Sequence, residues 1–445
     1  MRVKRSVIRL VALFGLACAA GEALSVDLMH VYREALINDA QYAAARATAE
    51  AGREKLPQGL AGLLPVIGAT GGTTWNDNKY RADNLPNWNK DYNTHSYNVS
   101  LTQPLFRWQN IVQYGQAKWQ VAQTEATFAQ ASQDLILRTA QAYFDVLYAQ
   151  ENLAAVRSSK QSIGQQLEQA KKNFEVGTAT ITDTYEAQSR FNLASALEVS
   201  GENDLEVKRY ALRVIVGKDP GELARLRADA KLLPPTPANM EAWVEAAEND
   251  SFQVQAQQAA FEVADREVER ARSGHYPTLD VVANYGKTNG ALSIASNAGL
   301  ETDVRNIGLQ LSIPIYQGGA VNSKTREAIA NRSAAQSGLE NARRTAKLNA
   351  RQSYLGVVNG LSQIMALDAA LASGVSALES NKLGYEVGVR INIDVLNAEQ
   401  QVYVTRRDLA RTRFDTLLAQ LRLKATVGTL SDADLEQINP LFEMQ

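Results

Sequence analysis

The chain has 445 residues, 46 Lys+Arg against 48 Asp+Glu, 7% aromatics and a single cysteine. Near-neutral charge excludes a nucleic-acid partner held through bulk basicity. So low an aromatic share fits long helices better than an all-β protein.

Residues 1–23 read as a signal peptide. Arg2, Lys4, Arg5 and Arg9 form the basic start, Leu10 to Ala20 the short apolar core, and Ala23 closes a small-residue cleavage site. The one cysteine, Cys18, lies in this label, which leaves the exported chain without thiol chemistry. The first repeat then covers 24–217. A helix is expected over about 27–56 and a strand pair over about 65–106. A helical hairpin follows over about 107–217, broken at Gly177. Residues 218–238, with Pro220, Pro234, Pro235 and Pro237, read as a linker. The second repeat covers 239–428: a helix, a strand pair over about 277–317, and a hairpin over about 318–428 broken at Gly388. Residues 429–445 form a tail.

Two patterns support this order. Proline is absent from 105–219 and from 315–439, and a proline inside a helix costs about 3 kcal/mol. The segment Phe174-Glu-Val-Gly177-Thr-Ala-Thr-Ile-Thr-Asp183 also returns as Tyr385-Glu-Val-Gly388-Val-Arg-Ile-Asn-Ile-Asp394, displaced by 211 positions. Tyr143 with Tyr354, Pro65 with Pro277, and Gln103-Pro104 with Ile313-Pro314 keep nearly the same displacement, so one plan is used twice. Val121, Phe128, Leu135, Ala142, Ala149, Val156, Ile163 and Ala170 recur every seventh residue. That is the stripe of a coiled-coil contact. A helix over 107–174 would reach on the order of 100 Å at ~1.5 Å per residue.

Ile307, Leu309, Leu311, Ile313 and Ile315 alternate with Gly308, Gln310, Ser312 and Pro314. A soluble sheet with one face on a core has this period, and so does a membrane barrel with lipid outside and water inside. No segment after the label has ~18 consecutive apolar residues, which argues against a spanning helix and leaves a barrel open. Four strands cannot close a barrel, and open edges are not tolerated in lipid. Two copies would supply eight strands and three would supply twelve; the arithmetic does not choose.

Together these segments resemble the TolC family of outer-membrane channel-tunnels. The resemblance rests on Ala140-Gln-Ala-Tyr-Phe-Asp-Val-Leu147, Val176-Gly-Thr-Ala-Thr-Ile-Thr-Asp183, Gly274-His-Tyr-Pro-Thr-Leu-Asp280, Pro314-Ile-Tyr-Gln-Gly-Gly319, Gly384-Tyr-Glu-Val-Gly388 and Ile393-Asp-Val-Leu396. It implies a mainly α fold with a membrane β-barrel. As a homotrimer the chain would form a 12-stranded outer-membrane barrel, in contact with lipid, joined to a periplasmic α-helical barrel. The function implied is an exit duct for type I protein secretion, multidrug efflux or both. A periplasmic adaptor and an inner-membrane transporter would open it by docking.

The same resemblance implies roles for individual residues. Thr182, Asp183, Tyr385 and Arg390 match an entrance lock. Asp394 matches an acidic ring at the constriction, and Asn397 stands where a second acidic ring is expected. Gly177 and Gly388 mark hairpin tips that meet the adaptor. Without the resemblance, Asp183 and Arg390 are ordinary exposed charges and both glycines are helix caps. Trp75 and Trp108 suit an interfacial belt, and Trp88, beside Pro86, suits a loop. His30, His95 and His275 have no ligand-like spacing, and neither a phosphate loop nor a nucleophile elbow is present. No metal, cofactor or enzymatic activity is expected. The competing reading is a periplasmic coiled-coil adaptor or scaffold, which would normally carry one hairpin rather than two.

Overall fold

The computed structural model describes residues 26–443 except 82, 84, 85, 228 and 292–298. The expected signal peptide, with Cys18, lies outside the described residues. The chain divides into two compact units. One comprises 47–128 and 253–343, the other 1–46, 129–252 and 344–445.

The first unit holds a four-stranded antiparallel sheet. Its strands are β1 (Val66–Tyr80), β2 (Trp88–Phe106), β4 (Thr278–Ala291) and β5 (Gly299–Ser312), in the order β1-β2-β4-β5. Every residue of β5 is exposed, and so are the first ten of β1. Ile307 is 78% exposed and Leu309 69%. A soluble sheet with one face on a core would cover one of these alternating sets; here neither face of β5 is covered. Trp88 does not lie in the loop expected for it: the β1–β2 pairing runs out to Tyr80 opposite Trp88. At the other end of the sheet, Arg107 donates two hydrogen bonds, at 2.8 and 2.7 Å, to the carboxylate of Asp280 on β4. This bidentate pair fixes the strand to the residue that leads into the next helix.

In the second unit Val26 and Phe442–Glu443 meet the segment expected as a linker. Val26 bridges Leu223, and β3 (Arg225–Leu226) pairs with β6 (Phe442–Glu443). The first expected helix is divided into α1 (Leu28–Asn38), α2 (Ala40–Arg53) and α3 (Lys55–Ala61). Asp39 causes the first division. Its carboxylate accepts from Tyr42 N at 2.6 Å and from Arg138 at 3.0 Å, and so caps the next helix. Pro57 is tolerated because it falls in the first turn of α3, where the backbone N–H has no helical partner. The helix expected to open the second repeat is likewise divided, into α6 (Met240–Asp250) and α7 (Phe252–Arg272).

The hairpins are α4 (Trp108–Glu175) with α5 (Ile181–Val216), and α8 (Ala320–Glu386) with α9 (Asn392–Thr426). From the seventh-residue stripe, Leu135, Ala149, Val156, Ile163 and Ala170 are buried. Tyr143 is fully buried between the rings of Phe144 and Phe442, at 6.2 and 5.6 Å between centroids. Leu28, Leu212, Leu417 and Leu435 complete this core, which α10 (Asp432–Ile438) closes.

No run of ~18 consecutive apolar residues occurs, yet one long helix is apolar on average. α8 contains an 18-residue window of mean hydropathy 1.4, apolar and long enough by composition to cross a membrane, and only 6% of that window is buried. Between Arg351 and Glu379 the only Asp, Glu, Lys or Arg is Asp368, while Ser, Asn and Gln interrupt the run without lowering the average much.

Candidate functional site

The tip of each hairpin is built the same way. α4 ends at Glu175 and Gly177 takes φ 78°; α8 ends at Glu386 and Gly388 takes φ 76°. Left-handed backbone of this kind is costly for any residue with a Cβ. Thr178 N then returns to Asn173 O at 2.8 Å, and Val389 N to Gly384 O at 2.8 Å, so the last carbonyls of each helix are satisfied. Beside the glycines, Val176, Ile181, Val387, Val389 and Ile391 are exposed.

Each return helix starts with an acid, but the two acids do different work. Asp183 is held in a capping box: its carboxylate accepts from Thr180 N at 2.9 Å, and its own N–H donates to Thr180 Oγ1 at 3.3 Å. Thr182 is exposed beside it. Asp394 lies in the first turn of α9, where the helix dipole favours a negative charge, and faces Arg390 at 3.6 Å. Within one chain, Arg390 is therefore joined to Asp394 and not to Asp183. Tyr385 is joined to neither: its hydroxyl accepts from Asn173 Nδ2 at 3.2 Å.

Further contacts link the two hairpins along α9. Arg190 on α5 donates to Asn397 Oδ1 at 3.0 Å. Gln166 on α4 donates to Glu399 Oε2 at 2.7 Å, and Tyr403 donates to Asn152 Oδ1 at 3.1 Å. Ile163, Ala194 and Leu396 pack beneath them with Phe191. Glu399 is buried, and burial pushes its carboxyl above the ordinary 4.5; Ser162, Lys382 and Gln166 oppose the shift. Sequence reasoning singled out Tyr385, Arg390, Asp394 and Asn397 but missed Asn173, Arg190, Gln166 and Glu399. Glu399, between Val395, Leu396 and Val402, carried a local signal as an acid on an apolar helix face; Asn173, Gln166 and Arg190 lie among other polar residues and carried none.

Among the described residues, no group of three or more His, Asp or Glu side chains is placed to hold a metal ion. His30 opens α1, His95 lies in β2, and His275 reaches Asn322 at 3.2 Å.

Comparison with known proteins agrees with this architecture. The family model described as Outer membrane efflux protein matches residues 31–218 and again 243–429. The chain is 34% identical over 414 residues to Outer membrane protein TolC of Vibrio cholerae, covering 93% of each. It is 31% identical over 428 residues to Alkaline protease secretion protein AprF of Pseudomonas aeruginosa, covering 95% of this chain and 88% of that protein. Among solved structures, the outer membrane protein VceC of Vibrio cholerae superposes with a TM-score of 0.77 at 19% identity, covering 90% of this chain and 96% of that one.

Proposed function

Because this chain belongs to the outer membrane efflux protein family, an outer-membrane location and a channel role follow, and we propose how that channel is built and opened. Three copies each contribute one four-stranded sheet to a 12-stranded barrel in the outer membrane. The hairpins α4–α5 and α8–α9 of the three copies form the periplasmic duct. The observation that carries this reading is the sheet. It has two unpaired edges, β1 and β5, and an exposed row of Ile307, Leu309, Leu311 and Ile313. In lipid, edges of this kind are closed only by pairing with further strands, and the apolar row meets the acyl chains.

The duct is passive. An inner-membrane transporter supplies energy, and a periplasmic adaptor engages the hairpin tips around Gly177 and Gly388. Tyr385 and Arg390, with Thr182 and Asp183 on the other hairpin, latch the periplasmic entrance, and Asp394 and Asn397 line its constriction. Polar latches of this kind suit a gate: each bond is worth about 1 kcal/mol net, enough in sum to hold helices and few enough to break. Cargo extends to proteins and small molecules. The names of the relatives, one a protease secretion protein, support the first, and the efflux family supports the second.

Fractionation of cells producing the full chain tests this reading. The expected result is a trimeric, heat-modifiable species in the outer membrane. Recovery of the protein in the soluble periplasm would overturn it.

A further inference from the structure

We propose that Arg190 sets the ion selectivity of the entrance, by holding Asn397 and fixing a positive charge where a second acidic ring would otherwise act. The proposal rests on the reading that Asp394 and Asn397 line the constriction. Asp394 and Asn397 are three residues apart on α9, nearly one helical turn. Arg190 reaches Asn397 from α5 on the other hairpin, at 3.0 Å. Its stem lies along a small cavity walled by Val156, Ile163, Leu193, Ala194 and Tyr403. Arg190 is part-buried there, and its bond to Asn397 is exposed to solvent. Glu186 lies one turn earlier on α5, yet the guanidinium is directed to Asn397.

The charge count follows. In each protomer the single carboxylate of Asp394 faces Arg390 at 3.6 Å, and Arg190 adds a second cation at the next turn. With Asp183 of the latch counted, three copies would present six carboxylates against six guanidiniums, a balance that Arg190 supplies. An entrance of that composition has little reason to favour cations. A carboxylate placed at 397 would meet Arg190 directly and be neutralised by a charge-assisted bond. Arg190 and not residue 397 alone therefore decides whether a second acidic ring can act on passing ions.

Reversal potentials of the purified full-length protein in planar bilayers under a KCl gradient test this. Arg190→Gln is expected to raise the potassium-to-chloride permeability ratio on the order of tenfold, because one unit charge about 6 Å away in water shifts cation and anion each by about threefold in opposite directions. Arg190→Lys should leave the ratio unchanged, because it keeps the charge. Asn397→Asp should raise the ratio less in the wild-type background than in Arg190→Gln. An equal rise in both backgrounds, or no change with Arg190→Gln, overturns the proposal. If Arg190→Gln fails to assemble, Arg190→Leu preserves an apolar stem and is read in the same way. Asp394→Asn separates the two levels of inference: if it leaves the ratio unchanged, the constriction is elsewhere and the entrance assignment itself is wrong.

Discussion

The hydroxyl of Tyr385, near the end of α8, accepts a hydrogen bond from the side-chain amide of Asn173, near the end of α4, at 3.2 Å. These residues are 212 positions apart and belong to different hairpins. The bond joins them just before their tips. A neutral hydrogen bond of this kind is worth about 1 kcal/mol net, so a latch needs several. Tyr385→Phe deletes the acceptor and leaves the ring. With Arg390→Ser added, the pairing to Asp394 is lost as well. Single-channel conductance in planar bilayers should rise with Tyr385→Phe and rise further with the double change. Conductance equal to wild type in both would contradict a latch at these residues.

Tyr143 makes a different prediction, because it is fully buried and its hydroxyl faces two backbone carbonyls, Ala224 O at 3.0 Å and Val26 O at 3.2 Å. Those carbonyls belong to the segments where Val26 runs beside Leu223 and Ala224, next to β3. Tyr143→Phe keeps the aromatic packing and removes the hydroxyl donor to Ala224 O, while Val26 O keeps its bond from Ala224 N at 3.0 Å. The expected cost is about 1–3 kcal/mol, measured as a lower denaturant midpoint with an unchanged slope. An unchanged midpoint would contradict a stabilising bond from the Tyr143 hydroxyl to Ala224 O.

Glu399 gives the pH dependence its sign. Burial raises its carboxyl above the ordinary 4.5, so between that value and its raised one the folded chain holds more protons than the unfolded chain. The contribution of Glu399 to stability therefore grows as pH falls through the raised value and is lost as pH rises above it. The midpoint difference between wild type and Glu399→Gln should change across the mildly acidic range in wild type's favour as pH drops. Parallel pH profiles for the two proteins would rule out a shifted Glu399.

Ala149 is buried in the middle of the seventh-residue stripe of α4. Proline there removes one helical hydrogen bond and forces a clash with the preceding turn, about 3 kcal/mol or more before packing losses. Ala149→Pro should abolish the trimeric species on semi-native gels. A normal trimer would mean that this stretch does not pack as described.

Fold class was legible from local patterns. Proline gaps, a repeated glycine-tip motif and strict alternation at Ile307–Ile315 each reflect backbone rules that act within a few residues, so a single sequence displays them. What was not legible depends on rotation and on distance along the chain. Whether Arg190 faces Asn397, or Gln166 faces Glu399, is set by how two long helices are turned about their axes. A shift of one residue moves a side chain by about 100°. The division of the first helix at Asp39 rests on a local cap, Asp39 accepting from Tyr42 N, which an aspartate within an apolar-periodic stretch could have signalled; only its second partner, Arg138, is 99 positions away.

The central claim is that the four-stranded sheet is one third of a barrel. Native mass spectrometry of the full-length protein extracted from outer membranes measures this directly. Three chains per particle is the result predicted, with no stable population of one or two. A particle of two chains, or a monomer that stays folded in detergent, would contradict it.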